Sequence, residues 1–341
     1  MSPSWQVARS AVRVSSILAV AALGSLAGCG KGTPSAVPTP VGERVYRVGF
    51  GYFGPDEACE NAIAGFLDGL KEEGIEQGRN LEVVRRHAAG EIGQLPQMMQ
   101  ALEAQGLDLI VPMTTPGLAA AVGAVKQTPM VFVYTYDPIG AGAGKTFDDH
   151  LPNITGVASF PPIEATMDVI LQLFPNAKKI GTLYNASEAN SVKAVGMARG
   201  ILAAKGLTLD EVTIAGTGEV FLGAQALVAR SPDVVWVTGD NTVVQALDGV
   251  IKPVIDGKLP LVLNDPEFVS RGALLGVGIG WHPSGLAAGK MAARVLRGES
   301  PAGIPFVALA KRRIVLNQDV AQKLGVVFPP AIVEEAGQPV Q

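Results

Sequence analysis

The sequence is poor in the side chains that build metal sites and disulfide frameworks. Its 341 residues include only two cysteines and three histidines. Cys29 lies in an N-terminal targeting segment, so Cys59 has no expected disulfide partner and is predicted to be a small buried residue. His87, His150 and His282 lack metal-ligand spacing, both among themselves and with cysteine. The composition therefore predicts neither a metal centre nor a disulfide-stabilised fold.

A strong excess of one charge and the usual catalytic motifs are also lacking. The net charge is −4, with 27 basic and 31 acidic residues, and the lysines and arginines are scattered. This distribution gives no electrostatic basis for binding nucleic acid. No Gly-x-Ser-x-Gly motif is present, and no close pair of carboxylates stands out as an acid–base couple. We therefore expect a binding protein that has neither catalytic chemistry nor a cofactor.

Two glycine-rich segments are similar to nucleotide-binding loops but differ from them in chemistry. Residues 49–54 match Gly-x-Gly-x-x-Gly, yet Asp56 and Glu57 follow and place negative charge where a pyrophosphate would meet the helix N-terminus. Residues 140–146 have Ile139 in front of them, where a phosphate-binding loop requires its first glycine. We interpret the first segment as a strand-to-helix turn and the second as a mobile loop.

The first 43 residues have the pattern of an export signal and a tether. An apolar run from Val14 to Leu23 is followed by Leu26-Ala27-Gly28-Cys29. This order resembles the lipobox of bacterial lipoproteins, which implies removal of residues 1–28 and diacylation of Cys29; the alternative is a cleavable signal with an unrelated cysteine. Residues 29–43 are rich in Gly, Pro, Ser and Thr and predict a flexible tether. We expect an exported protein, lipid-anchored at the cell envelope on the periplasmic side or outer face of a membrane. No later apolar run reaches the roughly 20 uncharged residues of a transmembrane helix.

The rest of the chain repeats one α/β pattern twice. The β-rich runs Val48–Tyr52 and Ile180–Tyr184 lead into helical segments that end at Gly74 and Gly206, and both pairs are 132 residues apart. Short apolar runs alternate with alanine-rich helical periods, which predicts parallel sheets. The predicted fold class is therefore α/β, with two Rossmann-like lobes of parallel sheet that are joined by crossover hinge strands. The space between such lobes is a natural ligand site.

The pattern also places the individual elements. Strands are predicted near 45–52, 80–87, 108–112, 129–134, 153–157, 178–184, 207–214, 233–238, 260–264 and 273–279. Helices are predicted near 56–73, 93–105, 116–126, 163–174, 189–204, 219–229, 241–256 and 283–297. The last helix has no counterpart in the first half, so we expect it to return to the first lobe and a strand near 313–316 to return to the second. The first lobe is then residues 44–157 and about 280–303, and the second is residues 158–279 and about 304–341.

The residues directly after the predicted strands are the candidates for ligand contacts, because ligands of open parallel sheets bind beyond the carboxyl ends of the strands. Aromatic residues are only 6% of the chain. Four of them are nevertheless predicted to form an apolar cleft wall: Tyr52, Phe53, Tyr136 and Trp281. The polar candidates are Thr114, Thr115, Asp137, Asn185, Glu188, Asn190, Ser191, Asp240, Asn241 and Asp265. As alternatives, the aromatic side chains can pack in the core, and polar ones such as Thr114 or Ser187 can cap helices.

Several sequence blocks together resemble one family of binding proteins, the tryptophan/tyrosine-type substrate-binding proteins of ABC transporters. The blocks are Thr115-Pro116, Asp137–Gly142, Asn153–Val157, Leu173–Gly181, Tyr184–Ser191 and Asp240–Val243. The resemblance extends from about Val45 to Val327. It implies a type I periplasmic-binding-protein fold whose lobes close on a small ligand, with an aromatic amino acid as that ligand.

The chain departs from this family in two loops. Members usually have a His-Pro-containing loop after the first strand, whereas this chain has Tyr52-Phe53-Gly54-Pro55-Asp56. The aspartate that usually follows the late strand is absent from Gly280-Trp281-His282. Both loops are more apolar here, so a larger apolar or lipid ligand is the alternative to an aromatic amino acid.

The sequence thus predicts a monomeric solute-binding lipoprotein that delivers a small aromatic or apolar ligand to the membrane permease of an ABC transporter. An exported sensing module that reports ligand occupancy to a membrane receptor is the alternative, because its binding domain would have the same sequence features.

Overall fold

The computed structural model describes residues 44–309 and 311–337 of the chain. The predicted signal peptide, the tether and the lipidation site at Cys29 lie outside these residues. The described part is built on two six-stranded sheets with helices packed on both faces. This architecture confirms the predicted α/β class with two lobes, each formed around one sheet.

The first sheet has the strand order β11-β5-β4-β3-β1-β2, and every neighbouring pair is parallel. The residues of β3, β4 and β5 are buried along their whole length, as expected for strands covered by helices on both faces. The strands are β1 (Tyr46–Tyr52), β2 (Leu81–His87), β3 (Leu109–Pro112), β4 (Met130–Thr135), β5 (Ile154–Ala158) and β11 (Val307–Ala308).

The second sheet has the order β12-β10-β9-β8-β6-β7, which matches the first position by position. Its pairs are parallel except β10 and β12, which are antiparallel. The strands are β6 (Lys179–Asn185), β7 (Thr208–Ile214), β8 (Val234–Val237), β9 (Leu261–Leu263), β10 (Leu275–Ile279) and β12 (Arg312–Leu316).

The helices cover the sheets, and short 3₁₀ turns connect several elements. Within the described residues, no helix combines the length and the apolar character that a membrane span requires. The helices are α1 (Glu57–Glu72), α2 (Leu95–Glu103), α3 (Thr115–Ala124), α4 (Ile163–Leu173), α5 (Ala189–Ala204), α6 (Val220–Ala229), α7 (Asn241–Gln245), α8 (Asp248–Asp256), α9 (Trp281–Leu296), α10 (Gln318–Leu324) and α11 (Pro330–Ala336). The 3₁₀ turns are Ile92–Gln94, Thr217–Glu219, Pro266–Arg271 and Pro301–Gly303.

The repeat seen in the sequence corresponds to equivalent units of the two lobes. Strands β1 and β6 take the same place in their sheets, and each is followed by a 16-residue helix. Gly74 and Gly206, just after these helices, have φ angles of +78° and +73°. This left-handed conformation ends a helix at little cost only in glycine, which explains why the same residue recurs 132 positions later.

Helix α9 returns to the first lobe, where it packs against α1, β4 and β5. Helices α1 and α9 approach each other very closely. A Cβ atom at Gly285 would collide with the carbonyl oxygen of Ala62, and a Cβ atom at Gly289 would collide with the carbonyl oxygen of Phe66. Glycine at the contact therefore sets the short distance between α1 and α9. Because α9 begins at Trp281, this packing also fixes the position of the Trp281 ring.

Three sequence expectations need correction. Strand β11 pairs with β5, so residues 304–309 lie with the first sheet and not in the second lobe as expected. The helix expected over 241–256 is two helices, because the backbone at Ala246 leaves the helical conformation. The late helix begins at Trp281 rather than near residue 283. Within the described ranges the chain passes between the sheets three times, after β5, β10 and β11.

Candidate functional site

The two lobes are in contact along the edge where the strands end. The Tyr136 hydroxyl, after β4, donates a hydrogen bond of 3.2 Å to Oδ1 of Asp265, after β9. At the rim, Nζ of Lys193 on α5 lies 3.1 Å from Oδ1 of Asp137 in the other lobe. Gly239, after β8, leaves room for the Tyr136 ring, since a Cβ atom there would collide with the hydroxyl. The lobes are therefore closed on each other.

A small space remains between the closed lobes. The cavity that is left has a volume of about 10 Å³, roughly enough for one water molecule. Both lobes contribute to its walls, which is the arrangement that lets a bound ligand hold two lobes together. It is lined by Thr115, Tyr134, Tyr136, Asn190, Gly239, Asn241, Val244, Asp265 and Trp281.

Three aromatic rings of the first lobe form one wall of this space. The Trp281 ring lies edge-to-face with Tyr134, with centroids 4.4 Å apart, and nearly parallel to Tyr136 at 5.8 Å. Tyr134 enters the wall because β4 has a register shift between Phe132 and Thr135, and Tyr134 itself adopts a φ of +56°. The sequence pattern predicts Tyr136 and Trp281 but not Tyr134, which falls inside a regular predicted strand.

Asp265 of the second lobe is the ionisable carboxyl side chain that lines this space, and only 3% of its surface is exposed. Burial raises its pKa to about 7, and the nearby carboxyl groups of Glu267 and Asp56 add to the shift. The hydrogen bond from Tyr136 acts in the opposite direction. A raised pKa means that the surroundings destabilise the ionised form of this carboxyl group. A cation or hydrogen-bond donor beside it would stabilise that form.

Asn190 contributes an unused hydrogen-bond acceptor. Its Nδ2 atom donates to the carbonyl oxygen of Gly239 at 3.1 Å and to Oε2 of Glu188 at 3.3 Å, which fixes the orientation of the amide. Its Oδ1 atom is buried, and among the described residues no partner donates to it. Because Asn190 lines the space, a ligand donor is the natural partner for this oxygen.

Glu188 and Asp240 do not line the space but lie behind the second-lobe residues that do. Oε1 of Glu188 accepts bonds from the backbone N–H and the hydroxyl of Thr242, and Oε2 accepts bonds from the backbone and side chain of Asn241. Asp240 accepts bonds from the backbone N–H groups of Val243 and Asn185.

Hydrogen bonds from neighbouring residues hold these two carboxyl groups close to each other, although their negative charges repel. Ser191 donates a further bond of 2.7 Å to Asp240. Burial and the nearby charge of Glu188 raise the pKa of Asp240 well above its usual range. The structure thus places both carboxylates, with Asn185 and Ser191, in a network that joins the N-termini of α5 and α7. None of these four residues lines the space, and their direct contact with the ligand stays a prediction.

The remaining predicted residues divide between the wall and its support. Thr115 lines the space, and its Oγ1 accepts a bond from the backbone N–H of Asp137 at 3.2 Å. Thr114 caps α3, because its Oγ1 accepts a bond from the backbone N–H of Gly117 at 3.1 Å. Asp137 is taken up by the ion pair at the rim and by a bond from the Gly140 backbone N–H.

Two of the predicted aromatic residues lie away from the space. The ring centroids of Tyr52 and His87 are 5.6 Å apart, and Phe53 packs with Ala88 and Leu95 in a small apolar cluster. Tyr52 is the last residue of β1 and Phe53 follows it, yet both pack within the first lobe, as the core alternative predicts. Ser187 does not cap α5; it donates to Oδ1 of Asn185 instead. The described residues contain no cluster of three or more His, Cys, Asp or Glu side chains arranged to hold a metal ion.

Comparison with known proteins agrees with this geometry. The family model of ABC transporter substrate-binding proteins matches residues 53–340. A tyrosine-binding protein of Clostridioides difficile is 30% identical over 267 residues, which are 78% of this chain and 77% of that protein.

Two solved structures, one with a bound ligand and one that is open and ligand-free, can be compared with the lobe arrangement seen here. A domain from Streptococcus pneumoniae in complex with L-Trp has 30% identity and a TM-score of 0.83, covering 87% of this chain and 100% of that one. The ligand-free, open structure of a Clostridium difficile substrate-binding protein has 28% identity and a TM-score of 0.63, covering 84% and 97%. The structure with bound L-Trp has the higher TM-score and the open, ligand-free structure the lower one, which agrees with the contact between the lobes described above.

The matches cover nearly all of the described residues and include both lobes. They establish the type I periplasmic-binding-protein fold, and they assign the chain to ligand binding rather than catalysis. Substrate-binding proteins of ABC transporters act outside the cytoplasm. The chain belongs to the family of ABC transporter substrate-binding proteins.

Proposed function

We propose that the protein captures a compact solute with an aromatic or apolar body between its lobes and delivers it to the permease of an ABC transporter. The observation that carries this proposal is the lining of the interlobe space, which has three aromatic rings from one lobe and the polar side chains of Asn190, Asn241 and Asp265 from the other. Aromatic rings next to a few fixed polar groups are typical of small-molecule sites.

Closure is the mechanical step of this function. A ligand shifts the lobes toward the closed form only if it binds that form more tightly, so it must contact both lobes. Tyr136 and Trp281 are placed to pack on its body from the first lobe, while Asn190 and Asp265 are placed to bind its polar end from the second. The relatives support an aromatic amino acid, since one is named for binding tyrosine and another was solved with L-Trp.

The ligand class is tested by isothermal titration calorimetry of the exported protein carrying Cys29→Ser, which prevents acylation. We expect L-Tyr or L-Trp to bind with a dissociation constant of about 1 μM or lower. Trp281→Ala should weaken binding by at least about 30-fold, as loss of a central aromatic contact usually does. Phe221→Ala, which removes an exposed ring on α6, is the matched control. Absence of heat with both amino acids would exclude this ligand class.

We further propose that the mature protein is a monomer, anchored through a diacylated Cys29 after removal of residues 1–28. The order of apolar run, small residues and cysteine supports this. Metabolic labelling with a radioactive fatty acid should mark the wild-type protein and leave Cys29→Ser unlabelled. Labelling of the serine variant, or equal release of both proteins from membranes, would contradict the anchor. Light scattering of the soluble variant reports the oligomeric state.

A further inference from the structure

The glycine-rich turn at residues 49–54 contacts the second lobe through its last glycine. A Cβ atom at Gly54 would overlap Oε1 of Gln245 and lie 2.8 Å from its Cδ atom. Gln245 is the last residue of α7 and belongs to the second lobe. Gly54 is buried and its φ angle is not positive, so its backbone conformation is open to alanine. What Gly54 provides is therefore room for Gln245, which accounts for a glycine that nucleotide binding does not explain.

A second glycine lies beside the same side chain. A Cβ atom at Gly90, in the turn after β2, would lie 3.0 Å from Cγ of Gln245 and 3.6 Å from the methyl carbon of Thr217. The backbone N–H of Gly90 donates to the carbonyl oxygen of Phe53 at 3.0 Å, which ties this turn to the loop after β1. Gly54 and Gly90 thus form a notch in the first lobe, and Gln245 of the second lobe fills it.

Helix α7 connects the notch to the interlobe space. Two of its other residues, Asn241 and Val244, line that space. Its N-terminus is fixed by Glu188, whose Oε2 accepts a bond of 3.0 Å from the backbone N–H of Asn241. The helix is five residues long. The motion that seats Gln245 in the notch therefore also brings Asn241 and Val244 up to the space.

We propose that Gln245 is a closure latch, which fills the notch of Gly54 and Gly90 and thereby slows the escape of the ligand. Gln245 is not among the described residues that line the space, so it acts on the ligand only by positioning α7 and holding the lobes together. Steric fit carries the latch, because the hydrogen bond from Nε2 of Gln245 to the carbonyl oxygen of Pro55 is long, at 3.5 Å. The inference goes beyond the proposed function but rests on it for the role of closure.

A double-mutant cycle in the Cys29→Ser protein tests the latch, with L-tryptophan and L-tyrosine as probes. Gly54→Ala places a methyl group where the Gln245 amide lies and should weaken binding by at least about 10-fold, mostly through faster dissociation. Gln245→Ala empties the notch and should weaken binding by about 3-fold. The double variant has room for the new methyl group, so it should bind more tightly than Gly54→Ala alone.

The matched control is Gly93→Ala in the first lobe, where a Cβ atom meets nothing within 4 Å. This variant should bind both probes like the wild type. Calorimetry measures the affinities, and stopped-flow fluorescence measures the dissociation rates. Rescue by the second substitution is a result that general damage to the first lobe would not give. If the losses of Gly54→Ala and Gln245→Ala simply add, or if Gly54→Ala binds like the wild type, the latch is overturned while solute binding stands.

A cross-link tests the latch without any ligand. The pair Gly90→Cys and Gln245→Cys places two thiols within reach of a disulfide bond, since a Cβ atom at Gly90 lies 3.0 Å from Cγ of Gln245. Mild oxidation should join them, as detected by mass spectrometry of the linked peptides. Gly93→Cys with Gln245→Cys should stay unlinked. If neither probe binds, the aromatic ligand class fails, and the cross-link still decides the latch, because its absence would overturn the contact.

Discussion

The two lobes share one topology but contribute different chemistry to the space between them. The first lobe supplies rings, from Tyr134, Tyr136 and Trp281, and the second supplies polar atoms, from Asn190, Asn241 and Asp265. The sheets that carry these groups have equivalent strand orders. The repeat specifies a scaffold, and the two lobes differ in the residues that follow their strands. In the proposed function, the body of the ligand packs on the first lobe and its polar end binds to the second.

The lobes also differ in how their walls are supported. Trp281 is held by close helix packing, because α9 begins at this residue and its glycines lie against α1. The polar residues that the second lobe contributes to the space are held in place by hydrogen bonds. Glu188 and Asp240 accept these bonds and so connect the N-termini of α5 and α7. Variants that break one support at a time should therefore affect one lobe at a time.

The largest effect is expected from Gly285→Val, which places a branched side chain where α9 meets the backbone of α1. The added atoms collide with the Ala62 carbonyl oxygen, so the helices must separate. We expect the free energy of unfolding to fall by more than about 3 kcal/mol. Urea unfolding followed by circular dichroism measures this change.

The matched control for this variant is Gly123→Ala on α3, where a Cβ atom meets nothing within 4 Å. Alanine is the better helix former, so this variant should gain about 0.5–1 kcal/mol. Equal stability of Gly285→Val and the wild type would show that the contact between α1 and α9 is not the close one described above.

The support of the polar residues of the second lobe is tested by Asp240→Ala. This change leaves the backbone N–H groups of Asn185 and Val243 buried without an acceptor, so we expect a loss of about 2–3 kcal/mol in the free energy of unfolding. Asp240→Asn keeps one acceptor oxygen and should lose less. If Asp240→Ala unfolds like the wild type yet no longer binds ligand, Asp240 is a direct ligand contact after all.

Asp265 gives the ligand-free protein a predictable pH dependence. Its pKa is about 7 in the folded protein, against about 3.9 in an unfolded chain. Between these values the folded protein holds the proton on Asp265 more tightly than the unfolded chain does, so the contribution of Asp265 to stability is largest at low pH and falls as the pH rises toward 7. From pH 5 to pH 7 the wild type should lose about 2 kcal/mol more than Asp265→Asn. Urea titrations of both proteins at the two pH values measure the difference, and equal losses would contradict the assignment.

The smallest effect is expected at the rim, from Lys193→Ala. Its ion pair with Asp137 joins the lobes but is half exposed on the lysine side, so it contributes about 0.5 kcal/mol. Ligand affinity should fall by about two-fold, and the fall should vanish at high salt. A ten-fold loss that persists at high salt would show that Lys193 binds the ligand itself.

Much of the fold follows from the sequence because its signals are local. Alternation of β-rich and alanine-rich segments predicts the strands and helices, and Gly74 and Gly206 mark the ends of equivalent helices. The return of α9 to the first lobe was also anticipated. The pairing of β11 with β5 was not, because a two-residue strand has no pattern of its own and is defined by its neighbour.

The candidate site was predicted less completely, for a related reason. Counting residues after strands identified Thr115, Tyr136, Asn190, Asp265 and Trp281, since the ends of parallel strands share one edge. Tyr134 was missed because a bulge in β4, together with its own left-handed backbone, turns it toward the space. Gly239 and Val244 have no functional group that would mark them as site residues in the sequence. They line the space because of the way in which the two lobes meet.

The sequence by itself determined the two α/β halves, the order of their elements and the edge on which a ligand would bind. It did not distinguish Asp240 from Asp265, which follow neighbouring strands of the second sheet. Tertiary structure decided this: Asp240 is turned inward by the N–H groups of Asn185 and Val243, while Asp265 meets Tyr136 of the other lobe. The end of a strand fixes where a side chain begins, but the direction in which it points depends on partners that are distant in the chain.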